Sequence, residues 1–237
     1  MKRNSFPAAA LALSGFVAAL VCARPVQAQD AKSPYPGMAP VEQYLMDRNA
    51  EITLARTAAP ASISDGAEVM VLGREGYETA VKGTNGFDCL VERSWGQGTN
   101  EAEFWNPKMR APHCFNAQAT RSFAQIYLMK TKLVMAGKSK AEIGQAIVKA
   151  FDGREIPALE PGAMAYMMSK QQYLNDRAAN WHSHAMFFFA GDMAKSWAAN
   201  DPGSPVVMAG DPEERVTILF VLADKWSDGT SSSMTMP

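Results

Sequence analysis

The chain has 237 residues, 47% of them apolar and 20% charged, with a formal net charge of −1. That length and apolar fraction are enough to bury a core within one domain. The near-neutral balance and the lack of a basic tract argue against nucleic acid or an anionic membrane surface as partners.

Residues 1–28 read as a secretory signal peptide. Lys2 and Arg3 start it, an apolar stretch runs from Ala8 to Cys22, and Val26-Gln27-Ala28 is a small-x-small cleavage site. Cleavage before Gln29 removes Lys2, Arg3 and Arg24 and leaves a more acidic chain. Pro7, Ser14 and Gly15 weaken the segment as a membrane anchor, so a secreted or periplasmic protein with no stable span is expected. Cys22 leaves with the signal. Cys89 and Cys114 remain, and in an oxidising compartment two cysteines most simply form one disulfide.

Residues 29–40 carry four prolines or glycines and are expected to be a flexible leader. From Val41 the spacing Val41, Tyr44, Leu45, Ile52, Ala55 predicts one helix ending before Pro60. Strand patterns follow at 68–72, 77–81 and 87–95. The second and third are separated by Gly83-Thr84-Asn85-Gly86, and the Asn-Gly signal predicts a three-stranded antiparallel meander. Residues 96–115 show no period and read as a loop pinned by the disulfide.

Asn116 can cap a helix running to Ala136, stopped at Gly137, and Ser139-Lys140-Ala141-Glu142 has the capping-box form for a second helix. Together they predict an αα-hairpin. The last third returns to strands at 163–169, 183–190 and 216–223, with a weaker one at 205–208, a short helix at 193–199, and a disordered tail over 227–237. The fold class implied is α+β. A single domain over 41–226 is expected, with an antiparallel sheet of about six or seven strands and the N-terminal helix and central hairpin packed on one face.

Chemistry concentrates in Trp181-His182-Ser183-His184. In an extended chain His182 and His184 point to the same face and can approach one zinc or copper ion. His113 is the remaining histidine and the obvious third ligand, Glu92, Glu101 or Glu103 could equally complete the set, and Glu101 or Glu103 could act as a base. The methionines at 164, 167, 168 and 186 read as core filler rather than soft ligands. Trp95, Trp105 and Arg110, with Asp176 and Arg177 from the connection before His182, are candidates to line an organic-ligand pocket. No nucleophile elbow or phosphate loop is present. Two functions from different classes follow: a transition-metal protein or metal-dependent enzyme using the His-x-His pair, and an exported small-molecule binding or sensory module without catalysis.

Overall fold

The computed structural model describes residues 33–232, all within one compact unit. The expected signal peptide, the first four residues of the expected leader (29–32) and the last five residues lie outside them. A 3-10 turn (Val41–Gln43) precedes α1 (Arg48–Arg56) and the four-residue α2 (Ala61–Ser64). The single helix expected from Val41 is thus broken, because the Asp47 carboxylate accepts from Asn49 N and Ala50 N, both at 3.0 Å, and starts α1 there.

Then come β1 (Glu68–Gly73), β2 (Gly76–Val81), β3 (Asp88–Glu92), β4 (Ala111–Phe115), α3 (Ala117–Arg121), α4 (Phe123–Met135) and α5 (Lys140–Asp152). The chain finishes with β5 (Met164–Met167), β6 (His184–Ala190), β7 (Val207–Asp211) and β8 (Val216–Leu222). The α+β class stands. One sheet of eight strands, two more than the lower expectation, runs in the order β2-β1-β3-β4-β5-β6-β8-β7 and is mostly antiparallel.

The expected meander is corrected: β1 and β3 pair in parallel, through Glu68↔Asp88 and Val69↔Cys89. The residues between β2 and β3 do not close a hairpin but carry the chain past the start of β1. Thr84 N donates to Gly66 O, and Asn85 Nδ2 donates to Ile63 O. At Gly83 a Cβ would stand 2.2 Å from Glu68 N, so only glycine allows this crossing.

The expected loop over 96–115 contains β4. Its pairing with β3 sets Cys89 opposite Cys114 at a Cα separation of 4.0 Å, and the two form the disulfide. This bond therefore joins neighbouring strands rather than pinning a loop.

Successive strand residues face opposite ways, and the helices divide accordingly. Cys89, Val91 and Cys114 meet Ala55, Ala58 and Ala59 from α1 and the turn after it. Leu90, Phe115, Ala165, Met186 and Phe188 meet α4 and α5 through Ile126, Tyr127, Val134, Ile143 and Ile147. Phe123 stacks on Phe188 with centroids 3.8 Å apart. The hairpin forms as predicted, with the Ser139/Glu142 capping box at the start of α5 and Gly137 at φ +72° between the helices. Ser122, at φ −124°, breaks the first helix into α3 and α4.

Three further segments depart from expectation. The leader from Ser33 onward is packed, with Tyr35, Met38 and Ala39 against the main core. Residues 193–199 form turns instead of a helix. Residues 227–232, expected as part of a disordered tail, fold back, with Trp226 N donating to Thr230 O and Ser232 N to Asp224 O. Among the described residues no helix is long and apolar enough to cross a membrane.

Candidate functional site

The strand register settles where the histidines go. Met167 on β5 pairs with His184 on β6, and one step beyond Cys114↔Tyr166 stands His113 on β4. His113, Met167 and His184 therefore form a row on one face, with the two imidazoles two strands apart, roughly 10 Å between backbones. Each ring turns to the carbonyl two residues before it: His113 Nδ1 lies 3.0 Å from Ala111 O, and His184 Nδ1 lies 2.6 Å from His182 O. A carbonyl only accepts, so both Nδ1 atoms carry the proton and both Nε2 atoms are acceptors. Burial pushes both imidazoles down to about 4, against the hydrogen bonds to these carbonyls. His184 Nε2 is buried with no partner.

His182 meets the His184 ring through its backbone. Its carbonyl holds the His184 ring, while its own ring packs edge-on against Trp181 at 5.4 Å. Among the described residues no three His, Cys, Asp or Glu side chains are grouped to hold a metal ion. Glu101 and Glu103 lie elsewhere, in the cleft described next.

The predicted pocket residues also separate. Trp95 is fully buried and donates from Nε1 to Thr131 Oγ1 at 2.9 Å. Trp105 packs edge-on against Phe104 in the core. Arg110 donates to the carbonyls of Pro107, Met109 and Gln43 and so ties the β3–β4 connection to the N-terminal turn. None of these three lines the cleft described next. Asp176 and Arg177 do line a cleft of about 930 Å³, together with Glu101 and Glu103.

Its walls come from residues 96–103, 175–177 and 209–214, and Phe123 and Ile218 supply part of its apolar surface. Six carboxylates border it (Glu101, Glu103, Asp176, Asp211, Glu213 and Glu214) against the single guanidinium of Arg177. Asp176 is a hub: Lys108 Nζ lies 2.7 Å from it, and Tyr35 and Tyr173 donate their hydroxyls, each at 2.5 Å. These donors, Lys108 foremost, hold its carboxyl well below the usual range.

Behind the cleft wall lies a buried acid–base group. Lys130 of α4 donates from Nζ to Glu214 Oε1 at 2.6 Å and to Gln97 O at 2.7 Å. Burial raises Glu214, Lys130 pulls it down, and Asp211 and Glu92 push it up again.

Glu92 at the end of β3 is 8% exposed, and no described donor bonds its carboxylate; His113 Nδ1 stands 3.7 Å away. Burial pushes Glu92 up to about 8, with Lys130 opposing. Gly96, which lines the cleft, lies directly against it: a Cβ there would be 2.6 Å from Glu92 Oε2.

Sequence reasoning named Glu92 only as one more ligand candidate and missed Lys130, Glu214 and Gln97. One signal was present, since Lys130 interrupts the apolar stripe Ile126, Tyr127, Val134 of α4. A lysine there must find a buried partner. Compared with known proteins, the chain matches no family model, no curated protein and no solved structure.

Proposed function

We propose that the protein is an exported small-molecule-binding module whose ligand is a small organic cation held in the acidic cleft. The observation that carries this is the excess of carboxylates around a concave, partly aromatic surface: Lys108 and Lys130 pair with Asp176 and Glu214, and Arg177 alone opposes the other four. A cation there gains Coulomb attraction and, over Phe123, contact with an aromatic ring. Support for export comes from the charged start, apolar run and cleavage pattern of residues 1–28, and from a disulfide of the kind that persists in oxidising compartments. The histidines give the transition-metal alternative no comparable support, since His113 and His184 stand two strands apart with Nδ1 against backbone carbonyls, and no three His, Cys, Asp or Glu side chains are grouped among the described residues.

The test is thermal unfolding of the processed protein with organic cations, neutral analogues and organic anions, each with and without a chelator. At about one hundred times its dissociation constant a ligand adds about 2.7 kcal/mol. For a domain of this size that is a rise on the order of 5–10 °C. Cations are expected to give it, chelator to leave it unchanged, and Glu101→Gln with Glu213→Gln to reduce it. Equal shifts from neutral and anionic analogues would sink the proposal. N-terminal sequencing of protein recovered outside the cytoplasm checks the export reading, with Gln29 as the expected first residue.

A further inference from the structure

We propose that the inner end of the cleft, where Glu214 lines the wall and Glu92 stands behind Gly96, binds a primary or secondary ammonium group, and that Glu92 gives up a proton when it does. This rests on the cation reading above and names the chemistry of its deepest point.

The unfilled hydrogen-bonding capacity at this end belongs to acceptors. No described donor reaches the two oxygens of Glu92, and Glu214 meets one cation through Oε1. The nearby donors are engaged: Lys130 serves Glu214 and Gln97 O, and the Gln97 amide points to Met109 Sδ and Leu174 O, each at 3.5 Å. A ligand rich in N–H donors suits such a place, whereas a quaternary ammonium, which has none, does not. Gly96 is the part of the cleft wall that stands against Glu92: the glycine lines the cleft, a Cβ there would lie 2.6 Å from Glu92 Oε2, and the carboxylate side chain keeps a tenth of its surface exposed.

The groups around Glu92 decide its protonation. His113 faces it from β4, Lys130 and Tyr127 from α4, Tyr77 from β2, and Glu214 from the turn before β8. His113 is neutral at pH 7, and Lys130 is shared with Glu214, so burial prevails and the carboxyl is mostly protonated at neutral pH. An entering ammonium ion supplies the missing positive charge. The ammonium ion and the Glu92 carboxylic acid then become an ammonium–carboxylate pair, and one proton goes to the buffer.

The experiment is calorimetric titration of the processed protein with propylammonium and with tetramethylammonium, in two buffers of different ionisation enthalpy, between pH 6 and 9. Propylammonium is expected to bind at least tenfold more tightly than tetramethylammonium. Below pH 8 it should release close to one proton, and its affinity should rise about tenfold per pH unit over that range. Glu92→Gln should abolish the proton release and the pH dependence and weaken binding at least tenfold. Gly96→Ala, which leaves the carboxyl in place but covers Oε2, should weaken propylammonium binding similarly. The second variant carries the test if the first does not fold. If both cations bind equally without proton release, or the two variants behave as wild type, the role of Glu92 falls while the cleft remains a cation site. Should neither cation bind, both readings fall.

Discussion

Two ion pairs are buried among the described residues, Glu51–Arg93 and Lys130–Glu214, and they differ in what else can reach them. Arg93 is sealed. Its guanidinium donates to Glu51 Oε1 at 2.8 Å, to Tyr44 O at 2.7 Å and to Val91 O, while Leu72 N also donates to Glu51. It thereby joins α1, β1, β3 and the bend before α1. Even the one partnerless atom there, Glu51 Oε2, is closed to solvent.

Lys130 joins α4 to two connections, but its partner Glu214 lines the cleft, and the adjacent Glu92 keeps a tenth of its side chain in contact with solvent. Similar residue types thus make a strut in one place and an open acid–base group in the other. The difference lies in how many donors close the set, not in the residues themselves.

The largest effect that separates them is mechanical. Arg93→Ala leaves Glu51 buried without its partner and should cost about 3–5 kcal/mol in urea unfolding. A loss below about 1 kcal/mol would show that Arg93 is no strut.

The pH dependence of stability sharpens the contrast. Glu92 is pushed up to about 8 in the fold, so its contribution is full below its unfolded value near 4.5 and is lost as pH rises toward 8. By pH 9 the loss is on the order of 5 kcal/mol, and Glu92→Gln should remove it. His113 and His184, pushed down to about 4, act with the opposite sign: their contribution is full above 6.5 and is lost as pH falls toward 4. Urea midpoints for wild type and Glu92→Gln from pH 4 to 9 would show both slopes, and an unchanged alkaline slope in the variant would place the titrating group elsewhere.

Next in size is the disulfide. Replacing both Cys89 and Cys114 with serine should cost about 3 kcal/mol, from a loop closed over 25 residues. Thiol counting on unfolded, unreduced protein beginning at Gln29, which lacks Cys22, should find none. The smallest effect belongs to the exposed hub: Asp176→Asn should leave the urea midpoint almost unchanged, because its partners are screened by solvent. Its consequence is local, and faster proteolysis near Tyr35 would report the loosened leader.

Legibility in the sequence followed the range of the interactions. The helical hairpin and most strands were readable because their caps and periods are local. β4 was not, because it is five residues long and holds Pro112. The register explains why proline is tolerated: Cys89 and Cys114 are a close, non-hydrogen-bonded pair, so two residues on Pro112 and Val91 are another, and the missing N–H points away from β3. On that side β5 has already ended at Met167.

Asn85-Gly86 was read correctly as a turn and wrongly as a hairpin, since a turn motif does not say which strands it joins. The His-x-His triplet was conspicuous because histidine is rare in the chain. Glu92, Lys130 and Glu214 belong to common residue types far apart in sequence, and only the fold brings them together.

The strand order carries a consequence for how the molecule assembles. Both cysteines sit in β3 and β4, adjacent strands complete by residue 115, so the covalent link needs nothing from the second half of the chain. From β4 the sheet grows outward, by β5, then β6, then the β7–β8 hairpin, so each newly emerged piece docks on an edge already in place. A protein delivered N-terminus first can therefore be locked by oxidation early and finish folding as a zipper, with its acidic cleft closing last, when the turn bearing Glu214 arrives.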